Sequence, residues 1–86
     1  MTRVIYKYDL AIGHNSVWLP EGSRILHLAD QYGSLCMWVE QDPTKSGVQK
    51  VLDVYGTGQT VYFDNGRHVG TVLMQNGLVW HVYEII

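Results

Sequence analysis

The sequence predicts an all-β domain, a small antiparallel meander that closes into a barrel or packs as a sandwich, spanning residues 1–86 as a single unit. Three observations predict it. Apolar and polar residues alternate with period two along most of the chain, the signature of half-buried strands. Glycine, proline, asparagine and aspartate cluster between these runs as turn signals. No window carries the three-and-four apolar spacing of a helix over ten positions, with Ser23 to Tyr32 as the segment where a short helix competes.

Val4, Tyr6, Tyr8 and Leu10 fall on one face of the first strand, with Ile5, Lys7 and Asp9 on the other. Val17, Trp18 and Leu19 run into the turn Pro20-Glu21-Gly22, and Arg24 to Gln31 resumes an extended pattern. Tyr32-Gly33 then joins that strand to Ser34–Gln41 as a hairpin. After the polar loop Asp42 to Gly47, Val48 to Tyr55 is β-branched and extended, and Gly56-Thr57-Gly58 breaks it. Thr60 to Phe63 reads as a short strand and Asp64-Asn65-Gly66 as a tight turn. Arg67 to Gln75 and Leu78 to Ile86 pair through Asn76-Gly77. A two-residue turn there sets Gln75 opposite Leu78, His68 near Ile85 and His81 near Val72, so the two histidines are not directly opposed.

Composition narrows the function. Two independent cores could not be built from 86 residues, and a 47% apolar content with 16% charged residues leaves apolar surface for a partner, first of all a second copy. Six Lys and Arg against eight Asp and Glu give a net charge of −2 with no basic run, which argues against duplex nucleic acid. No apolar stretch reaches the roughly 20 residues of a membrane helix, and the N-terminus lacks the pattern of a signal peptide. Cys36 has no partner for an intrachain disulfide and lies in the apolar run Leu35 to Val39, so it reads as a buried small hydrophobe of a cytoplasmic protein.

Catalytic and metal sites find little support. His14, His27, His68 and His81 have no zinc-ligand spacing, and no second cysteine completes a set. Ser16, Ser23, Ser34 and Ser46 lie at turns or strand ends without a nucleophile-elbow context, and the acidic residues are dispersed. No cofactor motif is present. A non-catalytic protein is the expectation.

Binding residues are easier to nominate. Successive N–H groups of Gly56, Thr57 and Gly58 can form a concave anion site, although a bulge or barrel corner asks for the same glycines. Three Trp and six Tyr exceed what a small core hides, so Trp38, Trp80 and Tyr83 serve either as core or as stacking platforms. Trp80 and His81 point to opposite faces of one strand, so one of them is accessible. Arg24 and Arg67 are the cations best placed on strands to meet phosphate.

The Leu19 to Leu26 segment with its Pro-x-Gly turn, Gly56-Thr57-Gly58, Gly70-Thr71-Val72 and the ending Trp80-His81-Val82-Tyr83-Glu84 resemble a family of small proteins encoded by bacteriophages and their bacterial hosts. The resemblance implies a class of compact β-rich anti-defence proteins that oligomerise and sequester nucleotide-derived immune signals in the host cytoplasm. Under that reading, Arg67, Trp80, His81, Gly56, Thr57, Gly58, Arg24 and Trp38 contribute to holding an anionic nucleotide. A protein-binding inhibitor or adaptor acting on a host protein is the alternative, with the Tyr and Trp side chains as anchors. A small virion component that uses the same apolar surplus for packing is a third.

Overall fold

In the computed structural model, which describes residues 2–86, seven strands form two antiparallel sheets packed as a sandwich, with no closed barrel. The strands are β1 (Val4–Asp9), β2 (Gly13–Pro20), β3 (Arg24–Gln31), β4 (Ser34–Gln41), β5 (Gly47–Gly56), β6 (Gly66–Leu73) and β7 (Val79–Ile85). One sheet runs β1-β4-β3 and the other β2-β5-β7-β6. Only β3–β4 and β6–β7 join chain neighbours within a sheet; the links from β1 to β2, β2 to β3 and β4 to β5 cross between layers.

Alternation places the core. Leu35, Met37 and Val39 of β4 face Leu52 and Val54 of β5, Val72 of β6 and Val82 of β7, with Leu10 and Leu19 at the ends. Cys36, on the opposite face of β4 from Met37, is also buried, and its thiol donates to Asp9 Oδ1 at 3.2 Å. Burial first, and then the Asp9 carboxylate, push that thiol above its usual range.

Across Ser23 to Tyr32 the extended reading of Arg24 to Gln31 holds as β3, and it is the competing short helix that is absent. Two segments differ from the sequence expectation. Thr60 to Phe63 is not a strand: it belongs to the connection from β5 to β6, two strands that both pair with β7 and leave this segment no ladder to join. The β6–β7 turn is longer than two residues, because Met74 N–H donates to the Leu78 carbonyl and Gly77, at φ +90°, closes a turn back onto Met74. That is a type I turn with a left-handed glycine at its end, in place of the primed turn that Asn-Gly favours. A bulge at Val69 adds a second slip, so His68 stands opposite Tyr83 and His81 opposite Thr71. The histidines remain unopposed. The β3–β4 hairpin does use a two-residue turn with Tyr32 (φ 53°) and Gly33 (φ 86°) both left-handed.

Along the seam where β3 meets β6, each strand bulges, at Leu26 and at Val69. Gly70 lets the layers close there, since a Cβ on it would lie 2.8 Å from Leu28 Cδ1. The Gln75 N–H ties the seam's far end to Asp30 Oδ2 at 2.7 Å.

Candidate functional site

At the start of β3 and β6 the two layers separate around a cavity of about 390 Å³. Leu19, Ile25, Leu52 and Val69 give it apolar walls. Arg24, Lys50, Arg67 and Glu84 supply its charge, with Ser23 and His68 also lining it. Lys50 and Glu84 reach it through strand parity: Lys50 shares a face of β5 with Leu52 and Val54, and Glu84 shares a face of β7 with Trp80 and Val82. Arg67 stands directly opposite Glu84 in the β6–β7 ladder.

Glu84 organises the cations. Its side chain is only 13% exposed; Lys50 Nζ lies 3.2 Å from Oε2, and Arg67 Nη2 donates to Oε1. Burial alone would raise its pKa, but the hydrogen bonds from Lys50 and Arg67 prevail and hold the carboxyl below its usual 4.5. Arg67 remains 70% exposed, so most of its guanidinium donors face solvent. Arg24 joins none of the ion pairs among the described residues. Three cations against one carboxylate leave two net positive charges around this cavity, in a chain whose net charge is −2.

The other nominated residues lie elsewhere. Gly56, Thr57 and Trp80 line a second cavity of about 410 Å³ with Gln59, Leu78 and Val79, none of them charged. Trp80 packs against Gly56, where a Cβ would meet the indole at 3.0 Å. Trp80 and Glu84 are four residues apart on β7, roughly 13 Å at strand rise, and the fully buried Val82 stands between them. The Gly-Thr-Gly amides are largely occupied: Gly56 N–H donates to Gln59 Oε1, Thr57 N–H to the Val79 carbonyl and Gln59 N–H back to the Gly56 carbonyl. Gly58 takes the left-handed conformation of the turn at φ +93°. Trp38 lies on the outer face of the three-stranded sheet, its ring 5.8 Å from that of His27.

His81 sits on the outer face of the four-stranded sheet in a chain of hydrogen bonds. His68 Nε2 is 2.9 Å from Thr71 Oγ1, which is 3.0 Å from His81 Nδ1, and His81 Nε2 is 2.9 Å from Thr57 Oγ1. Beside this chain, Phe63 packs on Tyr83 at 5.0 Å and Tyr55 at 6.1 Å, with His68 edge-on to Tyr83 at 5.3 Å. Gly66 makes room for that ring, since a Cβ there would lie 2.1 Å from Phe63 Cε2.

Sequence reasoning nominated Arg24 and Arg67, which the fold brings to one cavity, and missed Lys50 and Glu84. A signal existed: each is a charge on the apolar side of its strand, of opposite sign to the other. Among the described residues there is no cluster of three or more His, Cys, Asp or Glu able to hold a metal, and no helix long and apolar enough to cross a membrane.

The whole chain, residues 1–86, matches the model of a family described as a domain of unknown function (DUF7352), and it belongs to that family. No curated protein and no solved structure matches it.

Proposed function

We propose that this DUF7352 protein is a non-catalytic binder of a phosphorylated, nucleotide-type anion, held at the inter-sheet cavity by Arg24, Lys50 and Arg67. One observation carries the reading: a locally positive, apolar-walled cavity in a protein that is acidic overall. Phosphate oxygens accept from guanidinium and ammonium donors, and the walls of Leu19, Ile25, Leu52 and Val69 suit the flat face of a base or sugar. Glu84 positions two of the cations, Lys50 and Arg67. The bacteriophage resemblance of the sequence motifs gives such binding a use, the sequestration of a nucleotide-derived immune signal in the host cytoplasm. Nothing in that role requires turnover.

Calorimetric titration of cyclic and linear nucleotides into the protein tests the reading. Saturable binding lost in Arg67→Ala and Lys50→Ala supports it, whereas no binding across the panel sinks it. A nucleotide chemically altered during incubation would show an enzyme instead. The second reading, a host-protein inhibitor, is favoured by the aromatic face of Tyr55, Phe63 and Tyr83 and by Trp18, which is 68% exposed on the same sheet. Capture of a host protein lost on Tyr83→Ala and Trp18→Ala, with no nucleotide bound, would select it.

A further inference from the structure

Three of the four outer strands of the sandwich are blunted. β3 and β6 face each other across their bulged seam. β2 begins at the left-handed Gly13 and ends at Pro20, which falls at an open-edge position of the ladder and has no N–H to offer there. β1 has no glycine, proline or bulge, and pairs with β4 alone in unbroken register. An edge of that kind is a template for another strand.

The phase of its hydrogen bonds is fixed by Leu10, whose N–H donates to the Leu35 carbonyl in continuation of the β1–β4 register. Even-numbered residues of β1 therefore bond toward β4, and Arg3, Ile5, Lys7 and Asp9 present their N–H and C=O groups to the open edge. Side-chain faces add a second observation. Tyr6 stands opposite the fully buried Val39, on the core side of the sheet, yet it is 49% exposed. The core face is unfinished at β1.

We infer that β1 pairs antiparallel with β1 of a second copy, about a two-fold axis at Tyr6, to join two three-stranded sheets into one of six strands. Centred there, each open-edge residue meets an open-edge residue: Arg3 stands opposite Asp9 of the other copy and Ile5 opposite Lys7, each exchanging backbone hydrogen bonds. The charges are complementary, Arg3 to Asp9 twice over, and the facing strand covers Ile5, itself 56% exposed. On the core side, Tyr6 meets Tyr6 and Val4 meets Tyr8, which finishes the apolar face. Centring the axis one residue later, at Lys7, would set Lys7 against Lys7, and like charges directly opposed are unfavourable. This dimer is independent of the nucleotide reading, since no β1 residue lines the cationic cavity.

The test is sedimentation together with site-specific oxidation. Wild-type protein sediments as a dimer at micromolar concentration. Lys7→Pro removes an N–H that serves only the open edge and weakens dimerisation by about tenfold or more, with the circular dichroism unchanged. Arg3→Asp and Asp9→Arg each weaken it, and the double exchange restores it, which a merely structural role would not do. In a Cys36→Ser background, Tyr6→Cys forms an intermolecular disulfide because the paired Cα atoms are about 4.5 Å apart at a non-hydrogen-bonded site, and Ile5→Cys does not. A monomeric wild-type protein, or equal cross-linking at residues 5 and 6, would overturn the inference.

Discussion

The two cavities at opposite ends of β7 are close in volume, about 390 and 410 Å³, and both are lined from the core-facing side of that strand. They differ in what the strand offers at each end. At Glu84 the inward position is a carboxylate that gathers Lys50 and Arg67; at Trp80 it is an indole laid on Gly56 with no charge nearby. A glycine-rich turn whose amides bond its own protein borders the second end, whereas the first lies beside the seam of β3 and β6. Charge on the inward face separates a cavity suited to an anion from one completed by packing.

The largest expected effect breaks the comparison through stability. Trp80→Ala should destabilise the fold by about 3 kcal/mol, the bottom of the range for core aromatics because the indole is partly buried, measured by urea unfolding, and leave nucleotide affinity unchanged. If affinity falls while stability holds, the two ends have been assigned the wrong way round. Arg67→Ala should do the reverse. Loss of a charge-assisted contact worth roughly 1.5–3 kcal/mol lowers affinity at least about tenfold, with little change in unfolding midpoint because the arginine is mostly exposed.

Between these lies Gly66→Ala, which drives Phe63 off the Tyr55–Tyr83 face and should cost about 1–3 kcal/mol by overpacking. Tyrosine fluorescence and unfolding together report it. A neutral result would mean that the Phe63 ring swings away freely.

Acid titration sharpens the charged end. Glu84 has its folded pKa depressed, so its pairing stabilises the protein above the ordinary 4.5 and that contribution is lost as pH falls through the lower folded value. Wild-type and Glu84→Gln melting temperatures should therefore differ above pH 4.5 and converge below it. Curves that stay parallel into acid would remove Glu84 from the account. The smallest effect is expected at Cys36, whose buried, raised-pKa thiol should ignore a thiol reagent at neutral pH until denaturant is added.

Most of the fold was legible because alternation and turn residues are local facts. Val4 to Asp9, Ser34 to Gln41 and the Tyr32-Gly33 hairpin follow from them directly. Thr60 to Phe63 shows the limit: the segment is extended and β-prone, but a strand also needs a neighbour, and β7 is already flanked on both sides. Register was legible only until a bulge intervened. The slip at Val69 arises where β6 meets β3, residues distant in sequence, and together with the longer turn at Asn76-Gly77 it sets His68 beside Tyr83 rather than Ile85. The cationic cavity was half legible, through Arg24 and Arg67. Lys50 looked like one more polar residue, because its meaning depends on sharing a face with Leu52 and on meeting Glu84 across a strand pairing that no short-range pattern encodes.

The order of the strands has a consequence in time. Only β3–β4 and β6–β7 close over short loops, and hairpins of that kind form in roughly 1–10 μs. The β1–β4 and β2–β5 pairings each join segments about thirty residues apart, and in both the intervening chain crosses between layers. Loop-closure entropy must be met before those contacts return anything, so assembly waits on them, in the millisecond-to-second range of β-sandwiches. During that wait β2 and β5, with their apolar runs, lie unpaired. The nascent chain is then most exposed to aggregation before β5 has emerged, and a mutation in the β2–β5 ladder should slow folding more than one in either hairpin.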